Sequence, residues 1–214
     1  MWFTIVTYLI GFLAQAFFSA RILVQWVMSE KQRQIVTPAF YWIFSLMGSI
    51  LLFIYGGLRS DFSILLGQTL SYYIYIWNLN LQGHWTQLRP ALLRYFLIAV
   101  PFIAATFLVR HADGFFQQLF QNSNIPLWLL LLGSIGQCTF SFRFIYQWAY
   151  SYRHKESSLP RGFWIISLTG SSLIILYAII RLDPVLLLGQ SFGFLAYIRN
   201  LMIDQKSRKS ATQK

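Results

Sequence analysis

Two apolar stretches of the chain carry the same four residues at the same spacing. Ser19, Arg21, Gln25 and Trp26 lie in SARILVQW, and Ser141, Arg143, Gln147 and Trp148 lie in SFRFIYQW, 122 residues later. On a helix Arg21, Gln25 and Ser29 follow at i, i+4 and i+8 and share a face, as do Arg143, Gln147 and Ser151. An arginine inside an apolar helix is expensive to bury and marks function by default. Arg21 stands about two turns, roughly 12 Å, from the end of its run, too deep for simple snorkelling. Two chemistries fit such a pair. The guanidiniums bind a phosphate, pyrophosphate or carboxylate through bidentate hydrogen bonds. Alternatively, each pairs with a carboxylate or backbone carbonyls and locks helices together.

A second set recurs with the same offset. Gln68, Tyr75 and Asn78 match Gln190, Tyr197 and Asn200, and spacings of seven and ten put each trio near one helix face. Their amides suit sugar hydroxyls or a peptide carbonyl, and equally suit interhelical hydrogen bonds worth about 1 kcal/mol. Trp42 and Trp164 follow Pro38 and Pro160 at the start of apolar runs. There they serve either an interfacial aromatic belt or a stacking platform for a sugar ring. Arg59 and Asp61, matched by Arg181 and Asp183, read as adjacent ion pairs capping the following helix. Gly189-Gln190-Ser191-Phe192-Gly193 fits the G-x-S-x-G nucleophile elbow, but that elbow needs a strand-to-helix turn. This segment is an apolar helix whose first copy lacks the serine, so small-residue helix packing accounts for it. His84, His111, His154 and Cys138 are scattered and make no metal-ligand set. The sequence offers no catalytic residue, metal site or cofactor loop.

The elements that position these residues are apolar helices. Hydrophobic residues make up 57% of the 214 and charged residues only 11%, far from the soluble norm of about a quarter charged. The net charge of +11 does not mark a nucleic-acid binder, because the basic residues border apolar runs instead of clustering on a solvated face. The composition predicts an all-α, polytopic membrane protein. Runs of about 20 apolar residues mark seven transmembrane helices: Trp2–Met28, Phe40–Leu58, Ser63–Leu81, Ala91–Val109, Leu127–Tyr150, Phe163–Ile180 and Val185–Ile203. The first of these reads as a retained span, since no positive segment precedes it. Asp113–Asn124 reads as an amphipathic segment lying in the interface. Lys31 and Arg33, Arg89 and Arg94, Arg153 to Arg161, and the basic tail fall on one side if the N-terminus is outside and the C-terminus cytoplasmic.

The repeat extends over whole units. Gly11–Leu81 aligns with Gly133–Ile203 without a gap, with about 27 of roughly 71 positions identical. Each unit therefore holds three spans, and the fourth span is an unpaired linker. Three is odd, so one added crossing gives the second unit the orientation of the first. The expected layout is 3+1+3, two parallel triple-helix repeats: residues 1–82, a linker over 83–125, the second repeat over 126–204 and a basic tail over 205–214.

The second repeat reads GQCTFSFRFIYQW, PRGFWIISLTG and YAIIRLDPVLLLGQSFGFLAYIRN. With the first repeat it resembles the lipid A biosynthesis N-terminal domain family, which occurs ahead of some lipid-A-disaccharide synthases and as free-standing small membrane proteins. The first repeat departs from the pattern at Ala14, at Ser60 and Phe62 around Asp61, and at Trp77 in the place of Arg199. In architecture the duplicated triple-helix unit is similar to the SWEET sugar transporters and PQ-loop proteins. The resemblance implies a bacterial inner-membrane protein of lipid A or envelope glycolipid biosynthesis. It would bind, present or translocate a lipid-linked or phosphorylated sugar, its partner being a membrane lipid or glycolipid head group. Two rival readings stay open: the membrane part of a glycosyltransferase, and a non-catalytic scaffold for a soluble transferase.

Overall fold

In a computed structural model the described residues are 2–59, 62–88, 90–110 and 126–212. They form eight α-helices and no strand: α1 (Trp2–Gln32), α2 (Ala39–Leu58), α3 (Phe62–Leu81), α4 (His84–Gln87), α5 (Ala91–Arg110), α6 (Leu127–His154), α7 (Arg161–Arg181) and α8 (Pro184–Thr212). The expected amphipathic segment Asp113–Asn124 lies outside the described residues, as does Asp61.

Helix starts follow proline. Pro38, Pro126 and Pro160 are the N-caps of α2, α6 and α7, each extended at φ −69°, −60° and −69°. A fixed φ and a missing N–H suit that place, where the N–H would have no helical acceptor. At the other ends, Lys155 and Leu182 cap α6 and α7 in the left-handed region at φ 52° and 49°. There the Leu182 and Asp183 N–H groups donate to carbonyls in the last turn of α7.

The sequence predicts seven spans, and among the described residues five helices are long and apolar enough to cross a membrane: α1, α2, α6, α7 and α8. The expected third and fourth spans do form helices, α3 and α5. The α5 sequence stays apolar past Ile103, through Ala104, Ala105, Phe107, Leu108 and Val109. In α3 the residues of interest are themselves the cause: Gln68, Thr69, Ser71, Asn78 and Asn80 dilute its apolar content. The helices also overrun the expected spans at the basic ends, with α1 reaching Gln32, α6 reaching His154 and α8 reaching Thr212.

Helix α2 packs on both α1 and α3, and α7 on both α6 and α8; α1 meets α8 and α3 meets α6. The six helices of the two repeats therefore close a ring, with α5 outside it against α2. Tyr72 and Tyr73 fix α5 to α3 by donating their hydroxyls to the Leu97 and Ile98 carbonyls. Close packing of α6 on α7 depends on Gly170, where a Cβ would stand 2.7 Å from the backbone N and Cα of Phe140. The outward faces are apolar along their length, with Leu9, Leu13, Leu131, Ile135, Ile165, Leu176, Leu188 and Leu195 all exposed. Polar side chains run inward instead. Arg21, Gln25, Gln68, Asn78, Arg143, Gln147 and Asn200 are all buried.

Candidate functional site

The polar residues of α1, α3, α6 and α8 sort into two levels along the ring axis. Nearer the Lys31 and His154 ends lies an amide seam between the repeats. Gln147 of α6 and Asn78 of α3 bond reciprocally, Nε2 to Oδ1 at 2.9 Å and Nδ2 to Oε1 at 3.2 Å. On the opposite side of the ring Gln25 of α1 donates to Asn200 Oδ1 of α8 at 2.9 Å. Both glutamines also donate to the serine one turn on, Ser29 or Ser151, at 2.9 Å. Those serines in turn accept the backbone N–H of Val36 and Ser158, which ties the following loops to the seam. All four amide residues are fully buried. Each bond here satisfies a group whose desolvation would otherwise go uncompensated.

The two indoles sit behind this seam. Trp42 and Trp164 are fully buried, and neither belongs to an exposed belt. Each tilts against a tyrosine of the second set, Trp42 on Tyr75 with centroids 6.1 Å apart and Trp164 on Tyr197 at 6.0 Å. The repeat symmetry breaks at one point. Trp42 Nε1 donates to Ser157 Oγ at 3.0 Å, whereas the position equivalent to Ser157 is Ile35 and Trp164 Nε1 has no partner.

The second level is a cavity of about 60 Å³ at the centre of the ring. Six of the expected binding residues line it: Arg21, Gln68, Tyr75, Arg143, Gln190 and Tyr197. Gln25, Asn78, Gln147, Asn200, Trp42 and Trp164 do not. Two further glutamines do, and spacing alone had not singled them out. Gln15 and Gln137, also repeat mates, reach across the unit boundary toward Gly189 and Gly67. A Cβ on Gly67 would stand 2.6 Å from Gln137 Nε2, and one on Gly189 would collide with Gln15 Oε1. The glycine of the apparent nucleophile elbow is thus a place where another repeat's side chain approaches the α8 backbone. The signal for Gln15 was present in its exact repetition as Gln137.

Both cavity arginines sit among rings. Arg21 Cζ lies 4.6 Å from the Phe18 centroid and 5.2 Å from that of Tyr41, and its Nη1 donates to Ser45 Oγ at 2.8 Å. Arg143 Cζ lies 3.2 Å from the Phe140 centroid and 4.5 Å from that of Phe144. Such contacts contribute roughly 0.5–2 kcal/mol each when desolvated. Phe144 is 5.4 Å from Arg21 as well. The two charges are therefore at most about 10 Å apart and repel by about 1.7 kcal/mol or more at an effective dielectric near 20. The helix-lock reading required carboxylate or carbonyl partners. Among the described residues the ion pairs are Arg59–Asp183, Arg199–Glu30 and Arg208–Asp204, and none involves Arg21 or Arg143.

Two of those pairs join the repeats. Arg59 at the end of α2 reaches Asp183 ahead of α8 at 3.2 Å. Glu30 of α1 binds Arg199 of α8 at 2.6 Å and 3.0 Å. Along α8 the order is Asp183, Gln190, Tyr197, then Arg199 and Asn200, so the cavity lies between the two ion pairs. The expected partner Asp61 lies outside the described residues, and Arg59 bridges to Asp183 of the other repeat. It also takes Tyr55 Oη as an acceptor at 2.7 Å.

The Lipid A Biosynthesis N-terminal domain family matches the chain twice, over residues 10–80 and 132–202, more than half its length. The chain belongs to this family. Curated relatives include the lipid-A-disaccharide synthases of Chlamydia felis and Chlamydia pneumoniae, each 30% identical over 95% of this chain and 34% of the relative. That of Chlamydia abortus is 32% identical with the same coverage. The chain spans about a third of the length of these relatives. No solved structure matches it. The two matches lie within one residue of the aligned repeats, Gly11–Leu81 and Gly133–Ile203, so each copy of the family domain supplies three helices of the ring.

Proposed function

We propose that this is an inner-membrane protein of lipid A or related envelope glycolipid biosynthesis that binds, presents or translocates a lipid-linked or phosphorylated sugar between two parallel triple-helix units. The observation that carries this reading is the cavity, where repeat-matched arginines, glutamines and tyrosines from both units meet. Guanidiniums suit the anionic part of such a head group and the amides its hydroxyls. The layout in view is 3+1+3, with α5 as the linker span, the N-terminus outside and the C-terminus cytoplasmic, as the basic loop clusters favour. Rocking of one unit on the other would move the head group. Gln25, Asn78, Gln147 and Asn200 serve that motion as the hinge contacts between units, while Trp42 and Trp164 hold the tyrosines.

The test is binding of an acylated glucosamine 1-phosphate to the purified full chain in detergent, with its dephosphorylated form as control. We expect saturable binding of the phosphorylated lipid that falls at least about tenfold in Gln68→Ala and Gln190→Ala. Equal binding by the unmodified protein and both variants contradicts the site.

A second reading has its own support. The relatives are about three times as long as this chain and carry a synthase name, so the chain also fits the membrane part of a lipid-A-disaccharide synthase-type enzyme or a scaffold for a soluble transferase. Disaccharide formation by the chain alone supports the first of these. Co-purification of a soluble transferase, with no lipid binding by the chain, supports the second.

A further inference from the structure

Among the described residues no ion pair reaches the charge inside the ring. Arg21 and Arg143 are 3% and 2% exposed. Arg21 Nε and Arg143 Nε and Nη1 have no hydrogen-bond partner, and Oε1 of Gln68 and of Gln190, on the same cavity, also lack one. Aromatic faces ease the burial of a guanidinium but neutralise nothing. A buried charge without a counter-charge or full hydrogen bonding is among the costliest features a fold can keep. Here it is kept twice, at equivalent positions of two repeats that have diverged at most others.

Size and charge select the counter-ion. The cavity of about 60 Å³ has room for roughly four or five water-sized groups, which matches the five heavy atoms of one phosphate. A carboxylate brings a single charge, and a phosphodiester likewise. A phosphate monoester brings about −1.5 to −2 at neutral pH and three acceptor oxygens for guanidinium forks. The amides of Gln68 and Gln190 can turn their N–H groups toward it, since amide oxygen and nitrogen are interchangeable in placement.

We propose that the cavity between Arg21 and Arg143 is a binding site for one phosphate monoester group, held by both guanidiniums with Gln68 and Gln190 as further donors. The inference deepens the glycolipid reading and rests on it for the location of the site, but it concerns the anion alone. A free phosphate and a lipid-borne phosphate monoester share this chemistry.

The experiment uses the full chain in neutral detergent and in phosphatidylcholine nanodiscs, at constant ionic strength. One arm titrates inorganic phosphate against chloride and reads the melting temperature and the phosphorus NMR line. The other adds phosphatidic acid, with phosphatidylglycerol as the diester control. A saturable rise in melting temperature in either arm, absent with chloride or the diester, supports the site and names the source of the phosphate. No response of the unmodified protein in either arm overturns it. Arg143→Leu gives a second, oppositely signed readout. An anion site predicts that this variant melts higher than the unmodified protein in phosphate-free buffer and no longer responds to phosphate. A lower melting temperature in phosphate-free buffer, or a variant that does not fold, together with a phosphate response absent from the unmodified protein, identifies a helix lock and overturns the proposal. Phosphate binding without binding of acylated glucosamine 1-phosphate would defeat the glycolipid reading only. Binding of that lipid that excess phosphate does not compete away would defeat the anion site only.

Discussion

Gln147 and Gln190 are the same residue type on two helices of one repeat, α6 and α8, yet they are set different tasks. Gln147 is locked by Asn78, Ser151 and the Ser158 carbonyl. Gln190 faces the cavity with its Oε1 unpartnered. Removing a fully bonded buried amide strands its partner, at a cost of about 1–3 kcal/mol. Gln147→Ala should therefore lower stability by that amount in reversible unfolding, whereas Gln190→Ala should change it by less than about 1 kcal/mol and act on ligand binding. A finer test lies at Ser157. It accepts from Trp42 Nε1 and donates to Asn78 Oδ1 at 2.8 Å, so Ser157→Ala should cost about 1–2 kcal/mol. Ile35→Ser, its repeat equivalent, is expected to give Trp164 Nε1 an acceptor and to be neutral or stabilising in the same assay.

At the scale of elements, two glycine contacts should respond differently to an added methyl. At Gly170 the obstacle is the backbone of Phe140, which cannot move without separating α6 from α7. At Gly67 it is the far end of Gln137, which can rotate away. Gly170→Ala is expected to destabilise by about 1–3 kcal/mol and Gly67→Ala by clearly less, with the second instead displacing Gln137 from the cavity. Chemical unfolding of both variants checks the ranking. The helices themselves were legible in the sequence: the apolar runs, the prolines at 38, 126 and 160 and the 122-residue offset located every long helix of the ring. What spacing could not tell was depth. Gln68 and Asn78 share a face of α3, but ten residues put them about 15 Å apart along it. One meets the cavity and the other the seam, and only the neighbouring helices decide which. Arg21 and Gln25, a single turn apart, are divided in the same way. The span count was obscured as well, because Gln68, Asn78 and Asn80 lower the apolar content of α3.

The whole molecule is two copies of one family unit facing each other, and its polar chemistry lies on the interface between them. The cross-repeat pairs Arg59–Asp183 and Glu30–Arg199 bracket that interface. Arg199 and Glu30 are 41% and 47% exposed, so a double-mutant cycle on this pair should return less than about 1 kcal/mol and fall further with added salt. The proposed topology predicts that a cysteine introduced at Ser210, in a Cys138→Ser background, resists a membrane-impermeant maleimide in intact cells and reacts after lysis. Labelling in intact cells would reverse the orientation without altering the ring.

If the buried arginines serve an anionic head group, that group should travel with the protein. Native mass spectrometry of the full chain extracted from its own membranes tests it most directly, comparing the unmodified protein with Arg21→Gln/Arg143→Gln. A phosphorylated lipid should be retained by the unmodified chain and lost from the double variant. The same lipids retained by both would contradict it.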